Sequence, residues 1–323
     1  MVKHLKNKSI ELGRQIDGMI HSNPKAKRLY NQRYLLLMSI PFIIWLFIFK
    51  YIPIWGWTMA FQDYKPHLGF FDQKWVGLKH FQELFNAPLF YRALQNTLGM
   101  SILGLVFGTL SALGFAILLN ELRFLTFKRF TQTVSYLPHF VSWVVVANIV
   151  TSLLSINGPI NEILMSLKII KEPLNVMLKP EYFWWVVVIS DIWKETGWNA
   201  IIYLAAMTGI DSQIYEAAEI DGAGRLQRIW FITLPGISAT IFILLILSIG
   251  NLINIGFEKQ FLLGNAVTYP KALVLDKYAL DYGIGLFRFS FGTAIGIFKS
   301  IVSIILLVTA NYFIKKSGRG KLF

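Results

Sequence analysis

Six apolar stretches dominate the chain, at roughly 34–60, 94–119, 132–154, 183–206, 236–256 and 291–314. Each approaches or exceeds the ~20 residues that a helix needs to cross the hydrocarbon layer. In lipid every backbone polar group must be satisfied within the protein, which leaves bundled helices or closed barrels. Runs of this length select helices. A hydrophobic fraction of 55%, with 15% charged residues and a mean hydropathy of +0.53, excludes an ordinary soluble domain. The expected fold class is an all-α membrane protein with six transmembrane helices.

The six runs differ in quality. The first, second and sixth are clean. The third carries Pro138 and His139, and the fifth is interrupted by Gly250, Asn251 and Asn254. The fourth carries Asp191, Lys194 and Glu195 near its middle. An ionised group facing lipid at that depth costs roughly 2.5–3.5 kcal/mol on insertion scales. These three are therefore expected to face a cavity or another helix.

The net charge of +13 is concentrated at the ends. Residues 1–33 hold eight Lys/Arg against two acids, and residues 315–323 hold four and none. With six spans both ends lie on one side. The connections on that side, with the tails, carry 17 Lys/Arg, and the opposite loops 61–90, 155–182 and 256–290 carry 10. The positive-inside rule places the tails and the 207–235 loop in the cytoplasm. Basic ends of this kind speak for orientation in a membrane rather than for nucleic acid. The expected organisation is a cytoplasmic tail 1–33, a six-span domain 34–314 and a cytoplasmic tail 315–323.

The rest of the composition is restrictive. There is no cysteine, hence no disulfide framework and no thiolate metal site. His4, His21, His67, His80 and His139 are dispersed, without the ligand spacing of a metal site. No nucleophile–base pair stands out. The first 33 residues are polar and lack the apolar core of a signal peptide. Within them Ile10, Leu12, Ile16, Met19 and Ile20 can form one side of a helix on the headgroups. Leu78, Phe81, Leu84 and Phe85 have the spacing of an interfacial helix in the first outer loop.

The 207–235 loop is the sharpest motif. Glu216-Ala217-Ala218 is followed by Gly222 and by Ile232, Leu234 and Pro235. Asp211 can cap a first short helix, with Ile214, Ala217 and Ala218 on one face as its buried side. Gly222 permits a sharp turn into a second. Pro235 stands near the start of the next run, where a missing N–H costs little.

That motif, at this spacing, resembles the cytoplasmic loop of permease subunits in binding-protein-dependent ATP-binding-cassette (ABC) importers. Tyr203-Leu204-Ala205-Ala206 and the stretch from Tyr215 to Gly224 resemble the maltose-type carbohydrate branch. Phe49-Lys50-Tyr51-Ile52-Pro53, Ala60-Phe61-Gln62-Asp63-Tyr64, Trp75-Val76-Gly77-Leu78 and Tyr136-Leu137-Pro138-His139-Phe140 resemble the subfamily for complex oligosaccharides and polysaccharides, which includes alginate-oligosaccharide importers. The resemblance implies the ABC importer permease fold in a bacterial cytoplasmic (inner) membrane. It implies a second, homologous permease subunit in a heterodimeric or homodimeric core, two ATPase subunits and an extracytoplasmic binding protein. Residues 207–235 would be the coupling-helix loop, with Glu216 pairing with an arginine on the ATPase. The chain has no Gly-x-x-x-x-Gly-Lys-Ser/Thr phosphate loop. ATP and magnesium are thus expected in the partner ATPase, and no cofactor here.

Two readings of the fourth run stand side by side. Asp191, Lys194 and Glu195 share a helical face and can pair internally, as a structural salt bridge between subunits. Alternatively they line a sugar path with Trp193, Trp198, Asn199 and Tyr203, where aromatic faces suit sugar rings and polar groups suit hydroxyls. The implied function is passage of an oligosaccharide inward by alternating access, with no catalysis in this chain. The alternatives are a polytopic membrane enzyme acting on lipid-linked sugars and an ABC permease for a non-sugar solute. Because the chain lacks cysteine, topology is directly testable. Single cysteines at Gln73 and Leu174 should react with an impermeant thiol reagent from outside intact cells. One at Ser317 should not, and its labelling from outside would reverse the orientation.

Overall fold

The computed structural model describes residue 28, residues 30–69 and residues 71–316. Most of both basic tails, Ser317 and the expected amphipathic face from Ile10 to Ile20 lie outside these residues. By packing the chain divides at Thr58. In the first unit α1 (Arg33–Leu46) continues through a π turn, Phe47–Tyr51, into a 3-10 stretch, Ile52–Phe61. Pro53 follows the π turn, where the regular hydrogen-bond ladder is already interrupted. At its head the Arg33 guanidinium lies 4.2 Å from the Tyr30 ring and 4.9 Å from the Tyr34 ring. That grouping suits a membrane–water boundary.

The second unit opens with a hairpin, β1 (Gln62–Asp63) antiparallel to β2 (Lys74–Trp75), with Gln62 opposite Trp75. Its loop closes on Gln73. The Gln73 Nε2 donates to the carbonyls of Lys65, Leu68 and Gly69, and Oε1 accepts from Lys65 N–H at 2.8 Å. Gln73 is therefore buried, and the outside thiol label belongs instead on exposed Asp72 or Lys74.

The helices then follow as α2 (Lys79–Asn86), α3 (Pro88–Asn120), α4 (Leu125–Phe140), α5 (Trp143–Leu153), α6 (Pro159–Ser166) and α7 (Phe183–Thr208). After these come α8 (Ser212–Ile220), α9 (Arg225–Arg228), a π turn at Ile229–Thr233, α10 (Leu234–Gly236) and α11 (Ser238–Gly250). Three short helices, α12 (Glu258–Leu263), α13 (Tyr269–Ala272) and α14 (Leu275–Ala279), precede the terminal α15 (Phe289–Lys316). The expected helix of the first outer loop is α2. It packs on α15 and turns Leu84 into a core cluster with Phe90, Phe291 and Ile295, leaving Leu78 and Phe85 exposed.

Three helical runs, Arg33–Phe61, α3 and α15, are each long and apolar enough to cross a bilayer. The expected third and fifth spans are not single helices. The pair α4–α5 bends by 101°, and Arg225–Gly236 with α11 bends by 60°. At the first bend Val141 and Ser142 are extended, and Ser142 caps α5 through its side chain. Pro138 lies three residues before that break and cannot donate to a helical ladder. At the second, Ile237 leaves the helical region before α11 begins, and α11 ends at Gly250, before Asn251. The expected fourth span, α7, is long enough at 26 residues and is set apart by its three charges.

The core forms where α3 lies along α7. Met100, Ala147, Phe183 and Val187 pack at one level, and Ala112, Ala116, Ala200, Leu204 and Met207 at another. Segment 256–290 is fixed to this core by polar groups. Asn96 Nδ2 donates to the carbonyls of Pro270 and Leu273 at 2.9 and 2.8 Å. Thr97 Oγ1 accepts from Leu275 N–H at 2.9 Å. Lys299 on α15 pairs with Asp276, whose other carboxylate oxygen accepts from Gly256 N–H. Tyr278 is sunk in the same cluster, and burial pushes its phenol up to about 12.

A buried carbonyl left without a donor costs about 1–3 kcal/mol. Asn96→Leu preserves side-chain size but orphans two carbonyls. It should destabilise the purified protein by about 2–4 kcal/mol, read as a lowered thermal unfolding midpoint; an unchanged midpoint would show that the anchor is dispensable.

Candidate functional site

Helix α7 crosses the unit with its charges inward, and their partners outside the helix come from two other places. Asp191 pairs with Lys259 at the start of α12, at 2.9 Å. Lys194, buried to 6% side-chain exposure, pairs with Glu195 at 3.2 Å and donates to the His139 carbonyl. The Glu195 carboxylate also bonds His139 Nδ1 at 2.7 Å. His139 stands at the C-terminal end of α4, where carbonyls lack intrahelical donors. Lys194 supplies one. The close approach of α4 to α7 depends on Gly197, where a Cβ would fall 2.1 Å from the Ser135 carbonyl oxygen.

One side of this network opens on a cavity of about 390 Å³ between α3, α7, α11 and α12. Its polar wall comprises Asp191, Glu195, Thr196, Asn199 and Tyr203 of α7, Ser248 and Asn251, and Lys259 and Gln260. Opposite stand Ser101, Gly104, Gly108 and Ala112 of α3. Their small size at helical spacing leaves the space open, and a Cβ on Gly104 or Gly108 meets nothing within 4 Å. The carboxylates on the wall are matched by Lys259 and Lys194, so the wall presents hydrogen-bonding groups with little uncompensated charge.

Four of the seven α7 residues singled out from sequence, Asp191, Glu195, Asn199 and Tyr203, meet on this cavity. Lys194 stands behind it. Trp198 stacks on His139 at a ring separation of 4.2 Å. Trp193 lines a separate, largely apolar cavity of about 600 Å³ with Trp185 and Ile189. The internal pairing expected for Asp191 does not form: its cation is Lys259, from segment 256–290. Sequence reading also passed over Gln260 and the small residues of α3. The spacing of Ser101, Gly104, Gly108 and Ala112 was the available signal.

The second candidate site is the α8–α10 loop. Asp211 caps α8, accepting from Gln213 N–H at 2.9 Å. At the far end the Ala223 N–H reaches the Ala218 carbonyl and the Gly222 N–H reaches that of Glu219. This closure requires a left-handed residue, and Gly222 has φ +81. No neighbour lies within 4 Å of a Cβ there, so the requirement is conformational rather than steric. Gln227 Oε1 accepts from Gly224 N–H at 2.7 Å to start α9. Arg228 pairs with Glu219 at 3.1 Å, and the Tyr215 hydroxyl bonds Thr233 Oγ1 at 2.8 Å.

The loop is pinned at its base, where Met207 and Ile237 are buried and Ile210 packs against them. Ile232 and Leu234 are half-buried and Pro235 is exposed. The face expected to be the buried side of α8 is largely uncovered within this chain. Ile214 and Ala217 are exposed, and Tyr215 and Ala218 turn inward. Ile220 is 87% exposed and Leu226 72%. Glu216 is exposed and makes no ion pair among the described residues.

A helical membrane subunit with a polar cavity and a compact, outward-facing helix pair is the anatomy of a transport permease. The profile of the binding-protein-dependent transport system inner membrane component matches residues 89–319, and the chain belongs to that family. It is 44% identical to the polygalacturonan/rhamnogalacturonan transport system permease protein YteP of Bacillus subtilis, covering 95% of this chain and 97% of that one. It is similar to a chain in the crystal structure of a bacterial ABC transporter involved in import of the acidic polysaccharide alginate. There the TM-score is 0.82 and the identity 36%, over 91% of this chain and 99% of that one. A second structure, of an alginate transporter in complex with an alginate pentasaccharide-bound periplasmic protein, matches with the same score and identity over 92% and 99%.

The buried network has a stability signature. Removing one partner of a buried ion pair strands the other and costs about 3–5 kcal/mol. Lys194→Met should cost about 3 kcal/mol, since Glu195 retains His139 and partial solvent contact. The double variant Lys194→Met/Glu195→Gln should recover part of this. A double variant no more stable than the single would show that the Lys194–Glu195 pair is not what the helix needs.

Proposed function

We propose that the chain is one transmembrane subunit of an ATP-driven importer that passes a uronic-acid-bearing oligosaccharide into the cytoplasm by alternating access. The observation that carries this is the polar cavity set against α7 in an otherwise apolar bundle. Charges and amides at that depth are costly unless they face water, one another or a polar solute. The 44% identity to a permease for polygalacturonan/rhamnogalacturonan and the likeness to an alginate importer both favour acidic sugar chains. The names of these relatives favour transport over chemistry on lipid-linked sugars, and sugars over other solutes.

In this reading an extracytoplasmic binding protein delivers the sugar, a role consistent with the alginate transporter structure solved in complex with a pentasaccharide-bound periplasmic protein. A second, homologous permease subunit completes the pathway. Two ATPase subunits holding ATP and magnesium engage the α8–α10 loop. Glu216, Ala217, Ala218, Gly222, Ile232, Leu234 and Pro235 belong to that coupling surface. The uncovered Ile214, Ile220 and Leu226 supply its apolar contact, and Glu216 offers a charge to a basic partner. Both termini lie in the cytoplasm.

Two sets of variants test the two sites separately. Gly104→Phe and Gly108→Phe place a ring into open space, so the complex should assemble while sugar uptake in proteoliposomes falls at least tenfold. Normal uptake with either ring in place would remove the cavity from the path. Gly222→Leu forces a side chain into a left-handed conformation costing about 1–2 kcal/mol, and Glu216→Lys reverses a charge. Both should weaken co-purification of the ATPase and lower uptake, whereas Gly222→Asn should retain much of both. Full retention of ATPase and uptake in both Gly222→Leu and Glu216→Lys would sink the coupling assignment.

A further inference from the structure

Gln260 on α12 is fully buried, and neither its Nε2 nor its Oε1 has a hydrogen-bond partner. A buried amide is rarely left in this state, because each orphaned polar atom forfeits its bonds to water. Gln260 nonetheless borders the polar cavity beside Lys259. Thr196 on α7 also lines the cavity and has an unpartnered, buried Oγ1. Three of the five unpartnered buried side-chain atoms among the described residues thus belong to two side chains on the cavity lining, the other two being on Gln62 and His80. The charged groups there are already engaged: Asp191 with Lys259, and Glu195 with Lys194 and His139. What remains free on the wall is neutral.

We propose that Gln260, with Thr196 on the same wall, is a specificity-determining subsite for the hydroxyls of a glycosyl unit, and that it does not read the sugar's carboxylate. The inference rests on the cavity being the sugar path. A primary amide offers two N–H donors and a carbonyl acceptor, the complement of adjacent ring hydroxyls that each donate and accept. A substrate carboxylate is acceptor-only and would use just the donor half of the amide, and the neighbouring cation that would favour it, Lys259, is held by Asp191. The subsite is therefore indifferent to whether a unit is a uronic acid or its neutral counterpart, and selection for acid lies elsewhere in the transporter. A passing sugar satisfies the amide transiently, which favours contact without a deep trap.

The complete transporter, with its ATPase, partner permease and binding protein, is reconstituted in liposomes and supplied with tetragalacturonate or with the same tetrasaccharide carboxyl-reduced to neutral galactose units. Gln260→Met keeps the length of the side chain and removes its polar atoms. The expected result is an apparent KM raised about fivefold to tenfold, the range of a neutral hydrogen bond or two, by the same factor for both sugars. The thermal midpoint of the sugar-free complex should rise or hold, because an orphaned amide has been replaced by apolar atoms of similar shape. Gln260→Asn should retain an intermediate affinity. Loss for the acidic sugar alone would overturn the hydroxyl assignment. An unchanged KM for both sugars would overturn the subsite, and an unchanged KM with a lowered midpoint would identify the amide as holding structural water. If Gly104→Phe blocks uptake while Gln260→Met leaves KM untouched, the path stands and this subsite fails. If Gly104→Phe transports normally, the path itself has failed.

Discussion

The cost of a bare charge in hydrocarbon organises the second unit around α7. That helix brings Asp191, Lys194 and Glu195 to mid-length, and each must find a partner or water. The partners come from widely separated parts of the chain: Lys259 from segment 256–290, and both the ring and the carbonyl of His139 from the end of α4. The pairing therefore does more than neutralise charge. It closes a helix terminus whose carbonyls have no donors of their own, and it brings α12 to the cavity edge. Lys299 and Asp276 repeat the device between α15 and the loop. A permease that changes shape gains from such joints, since ion pairs fix orientation while the apolar faces around them slide.

Much of the architecture was legible because lipid simplifies the code. Long apolar runs at 94–119 and 291–314 became α3 and α15 with little alteration. The turn chemistry of Asp211 and Gly222 also read correctly, since side-chain capping and a left-handed glycine are local properties of backbone and neighbour. Pro138 marked the break in the third run and Gly250 the end of α11, but neither the bend at Ile237 nor the bend angles were marked. Those depend on what receives the freed backbone groups. In α4 the receiver is Lys194, more than fifty residues away, and no local pattern announces it.

The division of the α7 residues shows a second limit. Trp193 lies two residues from Asp191 in sequence but about 200° around a helix at 3.6 residues per turn, which places it on another cavity. Neighbours in sequence are not neighbours on a face. Trp198 returns to the polar side, yet its ring is occupied by His139. The aromatic platform imagined for a sugar is thus spent on holding the α4 terminus. Conversely Lys259 counted among outer-loop charges, where a lysine is ordinarily a solvated residue. Only the folding of segment 256–290 back against α7 reveals it as a partner for Asp191.

The two sites also place opposite demands on the polypeptide. The α8–α10 loop is held to one shape by its own short-range bonds, from the Asp211 cap to the closure at Gly222 and the Tyr215–Thr233 bridge. In the proposed coupling role, a loop held in this way would pass on a push from an ATPase without absorbing it. The cavity is instead bounded by small residues on α3 and by a wall whose charges are internally paired, leaving amide and hydroxyl groups to meet a solute. In the proposed function, tight complementarity there would hold a sugar in place and slow its passage. Between the loop and the wall runs α7, which ends at Thr208, immediately before the loop begins. The Met207–Ile237 cluster fixes that end to α3 and α11, so a displacement imposed at the loop is carried along the same helix that bears Asp191 and Glu195.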